Sequence, residues 1–471
     1  MATPEPRISP LDPAATEPFY RQIYDRIRGA IASGRLKPGD RIPSARAMAT
    51  ELGLARGTVD TAYALLTAEG YIQARGQAGT IVAPDLDPRV HPSRAIPQPR
   101  PSRPAAFRAD SILPFQMGLP ALDAFPRKVW ARLGARAIRA IQPSGMTDPP
   151  VYGSQALRAA IASYLHVSRG VRCSPSQVFV TSGYRHTLEL ISHALLEAGD
   201  RVWVENPGFP PTRELLGHMK IETVPVPVDA EGMRVSEGAA RAPGARAAVV
   251  TPAHQSPLCV SLSLPRRMAL LDWAAKSKSW IIEDDYDGEY RYVSRPLPAL
   301  KSMDLDGRVI YAGTFSKVLF PSLRLAYLVV PEAQIDRFED VYHAFAGGSP
   351  ELTQAIVTAF IQEGHFARHI QRMRKLYAER RRLTASGLMR VLADHVTIDS
   401  QPGGMHLVLR LRGKQSDRDL VARMREEGLS AEALTGWTVD GERASALLLN
   451  FTNVDSAETA ERLAHRILKL M

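Results

Sequence analysis

The residue best suited to covalent chemistry is a lysine in YAGTFSKVLFPSLRLAYLVVP. Lys317 follows a strand-like run, is framed by Thr314 and Ser316, and is followed seven positions later by Arg324. An amine at such a strand end suits Schiff-base formation. Small hydroxyls and a guanidinium suit a phosphate, whose oxygens a planar fork can bind in two places. Ser-Lys alone is a commonplace dipeptide, so a second constellation carries the weight. WIIEDDYDGEYRY closes another strand-like run. It puts Asp284 where a carboxylate could keep a pyridine nitrogen protonated, and Tyr286 where a phenol could reach an oxygen of the same ring. By themselves these acids fit a solvated acidic turn or a Mg²⁺ cluster equally well. Beside Lys317 they point to pyridoxal 5′-phosphate, and no metal site is assigned.

Three further pieces fall in chain order. TSGYRHTLELI sets Gly183, Tyr184 and Arg185 at a helix start, where backbone N–H groups and the helix dipole favour an anion. ENPGFPPTR places Phe209 just after a strand, suited to stack on a cofactor ring, with a buried core Phe as the rival reading. TPAHQSPLCVSL sets His254 and Gln255 near the ring oxygen, although a lone histidine is as often structural. For a ligand carboxylate the candidates are Arg443, just before ALLLNF, and more weakly Arg213.

Elements must hold these groups in place. QVFVTSG, RVWVENPG, AAVVTPA, WIIEDD and RVIYAGT read as buried strands alternating with amphipathic helical patterns. That alternation predicts an α/β fold, a mostly parallel sheet covered by helices on both faces, over residues 113–471. Residues 84–112 hold seven prolines by Pro104 and five arginines with few large apolar side chains, and read as a semi-rigid linker. Residues 12–83 form a separate small domain. In it Phe19, Ile23, Ile27, Ala30 and Ile31 recur at helical spacing, and GRLKPGDRIP breaks that helix. A second helix starts at the N-cap Ser44 and stops at Gly53, and a third begins near Arg56 with Val59, Ala62, Tyr63, Leu65 and Leu66 inward. YIQARGQAGTIVA then reads as two short strands joined by RGQAG. Helix, short turn, helix and wing make a DNA-reading unit, with Arg56 and Thr58 in the first turn of the groove-entering helix.

Composition sets outer limits. The 471 residues, 45% hydrophobic and 23% charged, suit a globular chain of two or three domains. No apolar run is long enough to span a bilayer and the N-terminus has no apolar signal core, so a cytoplasmic location with no membrane partner is expected. Two cysteines, Cys173 and Cys259, give neither a disulfide framework nor a metal signature. The net charge of +10 says little about DNA, because residues 1–83 carry ten Lys/Arg against eight Asp/Glu.

The segment FYRQIYDRIRGAIASGRLKPGDRIPSARAMATELGLARGTVDTAYALLTAEGYIQARGQAGTIV resembles the GntR family of regulators. By that resemblance Ser44, Arg46, Arg56, Thr58, Arg75 and Gly76 sit where family members touch DNA, while Gly57 and Asp60 replace possible contact residues. The remainder resembles fold-type I pyridoxal-phosphate enzymes. The whole is most similar to the MocR subfamily of GntR regulators, including VYGSQALRAAIASYLHVSRGV and QPGGMHLVLRL. Where the subfamily usually has Tyr, Gly and Gly, this chain has Phe209, Cys259 and Ala326. The resemblance implies a regulator that binds DNA as a head-to-tail homodimer on repeated half-sites. Its large domain would sense an amine, an amino acid or the coenzyme itself. A working aminotransferase carrying a DNA-binding domain is the alternative, and a coenzyme-free dimerisation scaffold is a third reading that the intact Asp284, Tyr286, Lys317 and Arg324 set argues against.

Overall fold

A computed structural model of the chain describes residues 11–12, 15–76, 79–86, 112–292, 298–345, 348–399, 403–439 and 445–471. They divide into two compact units, Met1–Arg108 and Ala109–Met471. Most of the segment read as a linker lies outside the described residues.

The small unit is built from α1 (Phe19–Ala32), β1 (Arg41–Ile42), α2 (Ala45–Leu52), α3 (Arg56–Ala68), β2 (Ile72–Ala74) and β3 (Thr80–Val82). Ile23, Ile27 and Ile31 on one stripe of α1 meet Met48 of α2 and Val59, Ala62 and Leu66 of α3, and Ile72 and Val82 close the core from the sheet. α2 begins because the Ser44 hydroxyl accepts the Ala47 N–H at 3.2 Å. β1 departs from the expected two-stranded wing. Ile42 turns inward and Arg41–Ile42 pairs with β3, giving a three-stranded sheet in the order β1-β3-β2. Two residues are too few to show a period of two, so the segment read only as a helix break.

The large unit contains β4 (Val178–Thr181), β5 (Arg201–Asn206), β6 (Glu222–Asp229), β7 (Gly232–Met233), β8 (Ala247–Val250), β9 (Trp280–Asp285), β10 (Val309–Thr314) and β11 (Ala326–Val329). They form one sheet in the order β4-β11-β10-β9-β8-β5-β6-β7. β10, β9, β8, β5 and β6 run parallel, and β11 and β7 are antiparallel to their neighbours. The five strand-like runs of the sequence are β4, β5, β8, β9 and β10. A second, antiparallel sheet follows: β12 (Val396–Ile398), β13 (His406–Leu411), β14 (Glu432–Ala433) and β15 (Ala446–Asn450), in the order β12-β13-β15-β14. Helices His365–Leu392 and Ala457–Leu468 pack together and share a core with it through Leu388, Leu407, Leu449 and Leu463.

What steadies the functional end of the main sheet is a buried ion cluster under the β9 terminus. Arg169, at the end of helix Gln155–Arg169, pairs with Asp285 at 2.8 Å and with Glu289 at 3.5 Å, and donates to the Gly288 carbonyl at 2.9 Å. The Tyr311 and Tyr164 hydroxyls donate to Asp285 and Glu289 at 2.7 and 2.8 Å. Removing the guanidinium would leave two carboxylates in the core with no cation. Arg169→Met is therefore expected to cost about 3–5 kcal/mol of stability in urea unfolding of the large unit. A loss under about 1 kcal/mol would show that the cluster does not hold this end together.

Candidate functional site

A cavity of about 420 Å³ opens at the carboxyl ends of β5, β9 and β10, where parallel sheets expose the loops that connect strand to helix. It brings together Gly183, Tyr184, Arg185, Phe209, Asp284, Tyr286, Thr314, Ser316, Lys317 and Arg324. These residues come from well-separated parts of the chain.

Lys317 projects from the turn after β10, and its Nζ donates to the Gly118 carbonyl at 3.0 Å. Gly118 has φ +78°, and a Cβ there would stand 2.5 Å from the Lys317 nitrogen, so only glycine permits this approach. Burial lowers the Lys317 pKa, against the pull of Asp287, Asp284 and Glu432. The segment that carries Gly118 is laced to β15: Asn450 Nδ2 donates to the Gln116 and Leu119 carbonyls, each at 2.8 Å.

At another wall, helix Tyr184–Leu195 begins at Gly183 with no side-chain cap, which leaves its first-turn amides for an incoming acceptor. Gly183 sits at φ +124°, and a Cβ there would meet the Arg324 guanidinium at 3.4 Å. The guanidinium thus rests against the helix start. The Arg185 side chain turns outward to Glu214 at 3.3 Å, so its contribution here is its backbone. Thr314 Oγ1 accepts the Ser316 N–H at 3.1 Å, fixing the hydroxyl turn between Lys317 and β10.

Asp284 lies on the cavity side of β9, half-buried, and forms no ion pair among the described residues. Burial, aided by Asp285, Glu205 and Asp287, raises its pKa to about 8, with Lys317 a weaker opposing influence. An acid so far from its ordinary value and without an ion-pair partner has room for a cation, and a protonated ring nitrogen is one that would supply it. The glycine-lined approaches to Lys317 and Arg324 and this unmatched carboxylate together fit a phosphorylated pyridine aldehyde.

Three expected residues sit outside the cavity lining. His254 does not line the cavity: it is buried behind Tyr286, with Nδ1 3.1 Å from Asp287 and 3.3 Å from the Tyr286 hydroxyl. Gln255 is also buried, its amide donating to Glu205 at 3.2 Å and to the Pro207 carbonyl at 2.9 Å. Arg213 donates to the Gly208 and Trp437 carbonyls at 3.1 Å each. Arg443 lies outside the described residues. Phe209 lines the wall beside Tyr184 and Trp437, with ring centroids 5.7 and 5.6 Å away. Cys259 takes φ +60°, so it keeps the left-handed backbone of the glycine usual at this place, and its Sγ lies 3.3 Å from His406 Nε2. Ala326 is a fully buried strand residue.

Sequence reading missed Gly118, Ser256, Asp287, Met405, His406, Glu432, Trp437 and Asn450, all of which line the cavity. Ser256, Asp287, Met405 and His406 were within reach, since each lies inside a segment already singled out.

In the small unit, α3 carries Arg56 and Thr58 in its first turn, and Arg46 is exposed on α2. Arg56 is held by Asp60, one turn on, at 3.4 Å with both side chains well exposed. The Ser44 hydroxyl is spent on its helix cap. Arg75 and Gly76 begin the β2–β3 turn, where Arg75 N–H donates to the Gly79 carbonyl at 2.8 Å.

Residues 19–82 match the gntR family of bacterial regulatory proteins, and residues 121–467 match the aminotransferase class I and II family. The chain is 38% identical, over 94% of its length and 92% of the relative's, to the probable rhizopine catabolism regulatory protein MocR of Rhizobium meliloti. The chain belongs to the MocR subfamily of GntR-type transcription regulators. It is also 34% identical to the pyridoxine biosynthesis transcriptional regulator PdxR of Corynebacterium glutamicum, over 90% of each. Among solved structures, the large unit is similar to LysN, an α-aminoadipate aminotransferase of Thermus thermophilus that was crystallised with N-(5′-phosphopyridoxyl)-L-leucine. That likeness has a TM-score of 0.69 and 28% identity, covering 76% of this chain and 92% of that one. The aminotransferase class I and II fold family uses pyridoxal 5′-phosphate, and a GntR-type winged helix is a DNA-binding module. No helix among the described residues is long and apolar enough to cross a membrane.

The Asp284 shift has a sign that can be tested in coenzyme-free protein. With a folded pKa near 8 against an ordinary 3.8, the native state holds the extra proton between those values, so this residue's contribution to stability falls as pH rises through that window and levels off above it. Asp284→Asn should therefore gain at least about 1 kcal/mol relative to wild type between pH 5 and pH 8.5 in urea unfolding. A pH-independent difference would mean that Asp284 is ionised throughout.

Proposed function

We propose that this chain is a cytoplasmic DNA-binding regulator that holds pyridoxal 5′-phosphate in the large-unit cavity and takes an amine, an amino acid or the coenzyme itself as its signal. The observation that carries this reading is the convergence of Lys317, Asp284 and the Gly183–Arg324 cradle on one 420 Å³ cavity. When bound, the coenzyme supplies an aldehyde that condenses with amines and a ring that accepts electrons.

The side chains divide that work. Lys317 offers its nitrogen at a position fixed by the Gly118 carbonyl, with burial favouring the neutral, nucleophilic form. Asp284 would hold the proton of the ring nitrogen, and Tyr286, backed by His254 and Asp287, would hold the proton at the phenolic oxygen. Arg324, Thr314, Ser316 and the start of helix Tyr184–Leu195 would take the phosphate. Phe209 would cover the ring face.

In the small unit, α3 would enter the major groove with Arg56 and Thr58 foremost, and Arg46, Arg75 and Gly76 would reach the backbone at its flanks. A head-to-tail homodimer would present two such units to repeated half-sites. A ligand switches the regulator only if it binds one arrangement of the dimer better than another.

Two measurements check this reading. The purified chain with added coenzyme should show a visible absorption band that Lys317→Ala abolishes; a band that survives the substitution would remove the lysine from its role. Arg56→Ala should weaken binding to the DNA upstream of its own gene by about 1–3 kcal/mol at fixed salt, read by fluorescence anisotropy. An unchanged affinity would take α3 out of the groove.

A further inference from the structure

The cavity lining holds two groups of residues of different character. In one, the Arg324 guanidinium rests against Gly183 at the helix start. The other comprises Met117, Phe209, Met405, His406, Trp437 and Glu432. Most polar atoms of this second group are already engaged. His406 Nε2 is 2.8 Å from the Pro257 carbonyl and 3.3 Å from Cys259 Sγ, and the Asn450 amide donates to two carbonyls. Trp437 Nε1 donates at 2.8 Å to one oxygen of Glu432. The other Glu432 oxygen meets no protein donor among the described residues, and the carboxylate lies near enough for its charge to act on Lys317. Arg213, which is not part of the lining, donates through Nη1 to the Gly208 and Trp437 carbonyls.

A carboxylate with one open oxygen, lining the same cavity as the reactive amine, attracts donors and repels anions. We propose that Glu432 selects the ligand: a primary amine whose far end carries an ammonium or hydroxyl in place of a carboxylate. The assignment rests on the amine-sensing reading above. The amine end meets the Lys317 side of the cavity, and the second donor meets the open oxygen of Glu432 at the rim of Met117, Met405 and Phe209.

The test uses the full chain loaded with coenzyme and four probes of similar length: butylamine, 1,4-diaminobutane, 4-aminobutan-1-ol and 4-aminobutanoate. Binding is read by calorimetry and by the change in coenzyme absorption. The diamine and the amino alcohol should bind at least about tenfold more tightly than 4-aminobutanoate, the scale of one charge-assisted hydrogen bond. In Glu432→Gln, which can still accept the Trp437 N–H, that ratio should collapse toward one. A preference for 4-aminobutanoate in the wild type, or a ratio untouched by Glu432→Gln, would overturn the assignment while leaving amine sensing in place. Silence from all four probes, butylamine included, would overturn the amine-sensing reading and this one with it.

Discussion

Successive residues of a strand face opposite sides of its sheet, and on β9 this rule gives two adjacent carboxylates opposite fates. Asp285 turns into the core, where Arg169, Tyr311 and the Gly288 N–H satisfy it. Glu283, on the same side, accepts the Leu300 and Lys301 N–H groups. Asp284 turns to the cavity and is left unmatched. A register slip of one residue would exchange these surroundings, leaving a naked acid in the core and a neutralised one at the site. The ion cluster around Arg169 therefore does more than stabilise: it keeps β9 in the register that presents Asp284 to a ligand.

The second constraint is steric. Lys317 and Arg324 lie on one short stretch after β10, yet each is braced by a glycine from a distant part of the chain, Gly118 and Gly183. The residues on either side of Gly118, Gln116 and Leu119, are held through their carbonyls by Asn450 at the end of the second sheet. The C-terminal antiparallel sheet is thus part of the site's support: it carries Glu432 and His406 and ties down the segment that aims the lysine.

Much of this was readable in the sequence, for identifiable reasons. Buried parallel strands are nearly continuous apolar runs, so β4, β5, β8, β9 and β10 announce themselves, and the candidate site residues stand directly at their ends. Local spacing conveys adjacency but not depth. The sequence leaves His254 open between the ring oxygen and a structural role, and the fold sets it one layer behind Tyr286, on Asp287. Glu432 sits on a strand of two residues with no surrounding pattern, and Gly118 follows a proline-rich stretch that carries no motif. Their roles arise only from long-range packing, as does the pairing of Arg41–Ile42 with β3.

The winged helix owns its interior. Ile23, Ile27, Met48, Val59, Leu66 and Val82 close on one another in a core that, among the described residues, is made of the small unit's own side chains. A module that is hydrophobically self-sufficient can be recombined with a different partner at little thermodynamic penalty. In such a lineage, the address read on the chromosome and the domain joined to its reader can diverge independently.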